Sequence, residues 1–209
     1  ETADSREALQ RLAERHRDEF QIPIVGITGS NGKTVVKEWL NQILAPQMAV
    51  ARSPRSYNSQ IGVPLSVWLL DEQSQVGIFE AGISEPNEMQ ALRDIIQPTI
   101  GVLTCMGAAH QENFQSMEEK CNEKLKLFHD AQCVVYGKDD ALVEHCMQQL
   151  NIKGERLAWS MHDAQAPLYV SSAIKSDATT TITYTWQGNT HCYTPVSYTH
   201  LRAHETTLH

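Results

Sequence analysis

Residues 5–19 place Leu9, Leu12, Ala13 and His16 at i, i+3, i+4 and i+7, one face of a helix. Residues 22–28 (IPIVGIT) form a continuous apolar run of strand length, the pattern of a sheet buried on both faces. A glycine-rich turn follows, and then a helix from about residue 33 to residue 44. Residues 48–51 predict a short strand, 52–60 a polar loop, and 61–70 a helix with Pro64 in its first turn. Residues 76–81 (VGIFEA) predict a second buried strand. Pro86 opens a helix with Met89, Leu92, Ile95 and Ile96 on its apolar face. Further along, 99–104 and 133–136 predict strands, and 116–128 and 139–150 predict helices.

Buried strands alternating with helices of this length predict βαβ units, hence an α/β chain with a mostly parallel, doubly wound sheet. From about Leu168 the pattern changes. Residues 168–174, 180–186 and 190–194 alternate as hairpin strands, with Gln187-Gly188-Asn189 as a turn, predicting a small antiparallel β extension. Residues 196–209 (VSYTHLRAHETTLH) abandon that pattern and resemble the translated read-through of a sequencing adapter. They are expected to be a non-native tail. The alternatives are a genuine polar tail and a metal tract built on His200, His204 and His209, for which no nearby residues complete a binding spacing.

Lysine plus arginine number 17 and aspartate plus glutamate 25, a formal charge of −8 in 209 residues. This balance excludes a nucleic-acid partner that needs a basic face. Five cysteines at 105, 121, 133, 146 and 192 make no Cys-x-x-Cys pair, as expected for reduced thiols in a cytoplasmic protein. No apolar run is long enough to span a membrane, so no membrane insertion is expected.

The strongest chemical signal is Gly26-Ile27-Thr28-Gly29-Ser30-Asn31-Gly32-Lys33-Thr34. It follows a buried strand and opens a helix, the setting a phosphate-binding loop requires. Gly29, Ser30, Asn31, Gly32, Lys33 and Thr34 offer backbone N–H groups to an anion at a helix N-terminus. Lys33 can reach β- and γ-phosphates, and the Thr34 hydroxyl can ligate Mg²⁺. Ile27 occupies the first glycine of the general pattern. The loop alone does not name a reaction, because kinases, GTPases and ligases share it.

Four further blocks follow in order: YNSQIGVPL (57–65), FEAGIS (79–84) with Pro86 and Glu88-Met89, TIGVLTCMGAAH (99–110) and EKLKLF (123–128). With ITGSNGKT, these resemble the Mur ligase family, which builds the peptide of bacterial cell-wall precursors. Among its members, the wording is most similar to the kind that adds D-alanyl-D-alanine (D-Ala-D-Ala) to UDP-N-acetylmuramoyl-tripeptide (UDP-MurNAc-tripeptide), in the version fused to an alanine racemase. The resemblance implies 1–21 as the end of an N-terminal substrate domain and linker, 22–195 as a truncated central ATP-binding domain, and a missing C-terminal ligase domain. It implies ATP, two Mg²⁺ ions, an acyl-phosphate intermediate and ADP as product.

Glu80 ends an apolar strand, where a carboxylate is placed to bind Mg²⁺; the alternative is a strand-end acid facing water. His110 follows a strand through a small-residue loop, and the family's matching position ligates a second Mg²⁺. Cys105 and Ala108 depart from the family's usual asparagine and polar residue. Lys124 lies at the margin of the face formed by Met117, Cys121, Leu125 and Phe128, where desolvation lowers an amine's pKa. The resemblance implies that Lys124, 14 residues after His110, carries a carbamate that holds the second metal. Lys120 and Lys126 are its decoys. The resemblance implies that Asn58 and Ser59 serve the family's muramoyl-peptide side; the alternative is a turn held by the asparagine's own backbone bonds. Asp139 and Asp140 are expected to cap the helix that follows.

The competing readings are a sister ligase, such as an amino-acid-adding or folylpolyglutamate-like enzyme, and a nucleotide-binding module without ligase activity. A GTPase would need an Asn-Lys-x-Asp motif, which is absent.

Overall fold

The computed structural model describes residues 4–109, 111–152, 154–176 and 179–195. The expected non-native tail and His110 lie outside them. The elements run α1 (Ser5–Asp18), β1 (Ile24–Thr28), α2 (Lys33–Leu44), β2 (Val50–Arg52), α3 (Gly62–Val67), β3 (Val76–Glu80), α4 (Met89–Ile96) and β4 (Ile100–Leu103). Then follow α5 (Met117–Leu125), β5 (Cys133–Gly137), α6 (Ala141–Gln149), β6 (Glu155–Ser160), β7 (Leu168–Lys175), β8 (Thr180–Trp186) and β9 (Asn189–Tyr193).

All nine strands join one sheet in the order β2-β3-β1-β4-β5-β6-β7-β8-β9. Pairing is parallel from β2 through β7 and antiparallel for β7–β8 and β8–β9. The expected mostly parallel α/β sheet with an antiparallel extension is therefore present, and the extension continues the same sheet. Gln187 and Gly188 both have positive φ, 50° and 77°, and Trp186 pairs with Asn189. This is the geometry of a tight two-residue hairpin, in which right-handed strand twist favours left-handed turn residues.

β1 lies between β3 and β4, although β2 follows it in the chain. The connections diverge at β1, which opens a crevice at the carboxyl ends of β1, β3 and β4. β1 and β3 are buried along their whole length. Val36, Leu40 and Leu44 of α2 cover one face of the sheet over Val25, Ile27, Val76 and Ile78. The other face carries the larger core, which draws on α1, α3, α4, α5 and α6.

Three local expectations change, and one strand was not foreseen. The helix expected at Pro86 starts at Met89, because residues 84–88 fold into a turn in which the Glu88 carboxylate accepts from Ser84 and Glu85 N–H groups at 2.6 and 2.9 Å. α3 stops at Val67, where Leu69 and Leu70 tighten to i→i+3 bonds onto Ser66 and Val67 carbonyls. β6 was not legible in the sequence. Asp140 caps α6 through Leu142 and Val143 N–H groups, whereas Asp139 instead accepts from Ser160 Oγ and from Met161 N at 2.7 Å.

α1 docks through Arg17, which is 5% exposed. Its guanidinium donates to the carbonyls of Ile96 (3.0 Å), Phe20 (2.6 Å) and Gln97 (3.2 Å), closing the end of α4. Arg17→Ala leaves those carbonyls unpaired, and a loss of about 2–4 kcal/mol in stability is expected. An unchanged urea unfolding midpoint would show that this dock contributes nothing.

Candidate functional site

The turn after β1 is built by glycine. Gly29 has φ +142°, and a Cβ there would lie 2.0 Å from Thr104 Oγ1. Gly32 caps α2 in the left-handed region at φ +81°, which a Cβ disfavours. The loop is laced to the end of β4: Ser30 N donates to Cys105 O at 2.7 Å and Thr104 Oγ1 to Asn31 O at 2.5 Å. Ser30 Oγ donates to Gly107 O at 3.1 Å and accepts from Gly107 N at 2.9 Å. Cys105, which departs from the family pattern, is exposed and directs its thiol to Asn31 O at 3.4 Å.

Lys33 folds back over the turn, its Nζ donating to Gly29 O at 2.8 Å. Burial pulls its pKa below the usual lysine value, and the Glu80 carboxylate opposes that shift. Thr34 Oγ1 donates to Glu80 Oε2 at 3.0 Å. Glu80 is fully buried at the end of β3, and its N–H donates to Ser53 Oγ at 3.2 Å. Its other oxygen, Oε1, makes no hydrogen bond of good geometry but lies 3.1 Å from the Lys37 ammonium. Burial this complete makes the charge pairing the more telling of those two facts.

Lys124 lies on the far wall. Ser116 Oγ caps α5 by accepting from Glu119 N at 3.0 Å, and the Glu119 carboxylate reaches back to Gln115 N at 2.6 Å, a reciprocal cap. The helix is buried on two sides. Cys121 and Leu125 enter the core, while Lys120 and Lys124 are 1% and 3% exposed. Burial first, then the Lys33 and Lys120 cations, push the Lys124 pKa down to about 8. The two decoys are engaged elsewhere. Lys120 Nζ donates to Gly107 and Ala109 carbonyls, both at 2.5 Å, and Lys126 pairs with Glu123 at 2.5 Å.

A cleft of about 160 Å³ brings Gly29, Ser30 and Lys33 together with Asn58, Ser59 and Lys124. Residues 82–84 and Ala109 complete its wall. Asn58 O accepts from Gly82 N at 2.7 Å, and a Cβ on Gly82 would approach Asn58 Oδ1 to 2.8 Å. Ser59 also caps the first turn of α3, its Oγ accepting from Gly62 N at 3.2 Å. Both residues line the cleft, and their bonds to Gly82 and Gly62 hold the segment in place. His110, expected here, lies outside the described residues; its neighbour Ala109 lines the cleft.

Among the described residues, no three His, Cys, Asp or Glu side chains cluster as a protein metal cage. The donor set that is present is one hydroxyl, Thr34, against one carboxylate oxygen, Glu80 Oε2. That fits Mg²⁺, which is usually held by one or two protein oxygens with phosphates and water completing the shell. Sequence reasoning missed Lys37. The available signal was a lysine inside the i, i+3, i+7 stripe of Lys33, Val36 and Leu40.

Residues 27–202 match the Mur ligase middle domain family. The UDP-N-acetylmuramoyl-tripeptide–D-alanyl-D-alanine ligase of Bacillus subtilis (strain 168) is 30% identical over 145 residues, covering 68% of this chain and 32% of that protein. The enzyme of the same name from Treponema pallidum (strain Nichols) is 36% identical over 126 residues, 60% of this chain and 28% of that one. The crystal structure of a MurF ligase from Thermotoga maritima, in complex with ADP, superposes with a TM-score of 0.79 at 24% identity, covering 92% of this chain and 45% of that one. The chain spans about a third of the length of the curated relatives it matches. Among the described residues, no helix is long and apolar enough to cross a membrane.

Proposed function

The chain belongs to the Mur ligase family, and we propose that residues 22–195 are the ATP-binding centre of an ADP-forming ligase adding D-Ala-D-Ala to UDP-MurNAc-tripeptide. Residues 1–21 are then the end of the N-terminal substrate domain and its linker. A C-terminal ligase domain and a fused alanine racemase complete the proposed cytoplasmic enzyme, and this chain alone binds nucleotide without ligase turnover. The observation that carries the proposal is the convergence of the phosphate loop, Asn58, Ser59 and Lys124 on one cleft.

In this reading the N–H groups of residues 31–34, at the start of α2, receive the nucleotide phosphates while that of Ser30 stays on Cys105 O, and Lys33 faces the γ-phosphate as charge develops on it. Thr34 and Glu80 would hold one Mg²⁺, and His110 with carbamoylated Lys124 a second. The ions would offset charge on the phosphate oxygens. Asn58 and Ser59 lie on the muramoyl-peptide side. The tripeptide carboxylate attacks the γ-phosphate, ADP leaves, and the amine of D-Ala-D-Ala then displaces phosphate from the acyl phosphate. The protein's own share is positioning and electrostatics.

Two measurements test the reading. ADP titrated calorimetrically into this chain should bind, and Gly29→Ala should weaken it by at least about tenfold, because the new Cβ meets Thr104 at a strained φ. In the full-length parent, ADP release should require both UDP-MurNAc-tripeptide and D-Ala-D-Ala. Release supported equally by another amino acid would transfer the assignment to a sister ligase.

A further inference from the structure

The proposed nucleotide site gives no task to the buried charge of Lys37. Lys37 lies one turn after Lys33 on α2 and is 0% exposed. Its ammonium donates to Ser53 O at 2.8 Å and to Arg55 O, and lies 3.0 Å from Glu38 Oε1 and 3.1 Å from Glu80 Oε1. Arg52 joins the group through Glu38 at 2.7 Å. Lys37 and Arg52 thus face Glu38 and Glu80 in a group largely removed from water. Without Lys37, Glu80 would be a buried carboxylate with no cation beside Oε1, a costly state that favours rotation of the side chain toward another partner.

We propose that Lys37 is a positioning residue: it holds Glu80 by Oε1, so that Oε2 is fixed toward Thr34 and presented to a divalent cation. Its second grip extends the same control. Arg55 has φ +46°, a left-handed conformation that costs a non-glycine residue energy and needs support. The Lys37 bonds to Ser53 O and Arg55 O supply that support just before Asn58 and Ser59. One ammonium therefore joins the helix of the phosphate loop, the carboxylate of β3 and the segment leading to the peptide side of the cleft. This inference rests on the reading of the cleft as a Mg²⁺-nucleotide site.

The test titrates ADP into the full chain with Mg²⁺ and again with EDTA. In the parent chain Mg²⁺ should tighten binding. Lys37→Met should lose about tenfold or more of the Mg²⁺-dependent affinity, the usual cost of removing a partner that orients a metal ligand. Its EDTA affinity should stay within about twofold of the parent's, since the phosphate loop is untouched. Glu80→Gln should lose a similar amount, and the double variant no more than Glu80→Gln alone, because Lys37 acts through Glu80. Losses that multiply in the double variant would overturn the proposal, as would an equal loss with and without Mg²⁺. Should Lys37→Met not fold, Lys37→Arg retains the charge but not its compact geometry. A shifted Mg²⁺ midpoint with unchanged EDTA affinity then supports the role, and an unshifted midpoint overturns it. A parent chain that binds ADP without any Mg²⁺ effect would overturn the metal reading of Thr34 and Glu80 itself, and this inference with it.

Discussion

Lys33→Ala in the full-length parent should lower turnover by about 10²- to 10³-fold, the scale of removing one preorganised charge that meets a transition state in a dry site. The geometry gives the reason. The Lys33 ammonium is drawn back across its own turn onto Gly29 O at 2.8 Å, and so lies over the loop proposed to hold the phosphates. Burial lowers its pKa, so the amine has lost part of its hydration before any ligand arrives. A phosphate oxygen at that position would replace the lost water with a charge-assisted bond. Lys126→Ala is the control. Lys126 is 44% exposed and pairs with the buried Glu123, and it is not among the residues that line the cleft. Its turnover should stay within about twofold of the parent's. Phosphate-release rates reduced equally in the two variants would count against the assignment of the loop.

The elements nearest this chemistry were legible in the sequence because local physics fixes them. α2 runs over the expected residues since a left-handed glycine, Gly32, starts it and an apolar stripe continues it. β1 and β3 announced themselves as uninterrupted apolar runs because both faces of the sheet are covered there. β6 did not. Glu155 and Arg156 are exposed, only Ala158 and Ser160 are buried, and the strand exists because β5 offers it a parallel edge. Lys37 was hidden for a similar reason. A helical lysine ordinarily snorkels to water, and what buries this one are carbonyls and a carboxylate from other elements. The three lysines of the α5 region were separable only in part. Spacing favoured Lys124, but it is the carbonyls of Gly107 and Ala109 that occupy Lys120, and Glu123 that occupies Lys126.

That separation makes Lys124 the site of the second large effect. Its amine is 3% exposed, borders the cleft beside Lys33, and has its pKa pushed down to about 8 by burial and by two neighbouring cations. Only a neutral amine reacts with CO₂, and near pH 8 about half of this one is neutral, against well under a hundredth for an unperturbed lysine. The carbamate would reverse the sign of the charge at the cleft wall, turning repulsion from Lys33 and Lys120 into attraction. Lys124→Ala in the full-length parent should therefore fall to about one-hundredth of normal turnover or less while remaining folded, since Cys121, Leu125 and Phe128 still anchor the segment in the core. Small carboxylic acids in the buffer should restore part of the activity by supplying the missing oxygens. The nucleotide-free chain gives an independent check through its stability. A lysine whose folded pKa lies near 8 and whose unfolded pKa lies near 10.5 destabilises the fold at pH 7 by on the order of 3 kcal/mol, provided it is not carbamoylated. The unfolded state binds more protons between those two values, so stability should rise as pH increases from about 8 toward 10.5. In CO₂-depleted buffer at pH 7, Lys124→Met should remove that penalty and unfold at a higher urea concentration than the parent chain, with a weaker dependence on pH across the same window. A variant that unfolds earlier than the parent under those conditions, or a Lys124→Ala enzyme with near-normal turnover, would exclude Lys124 as the buried amine that carries the carbamate.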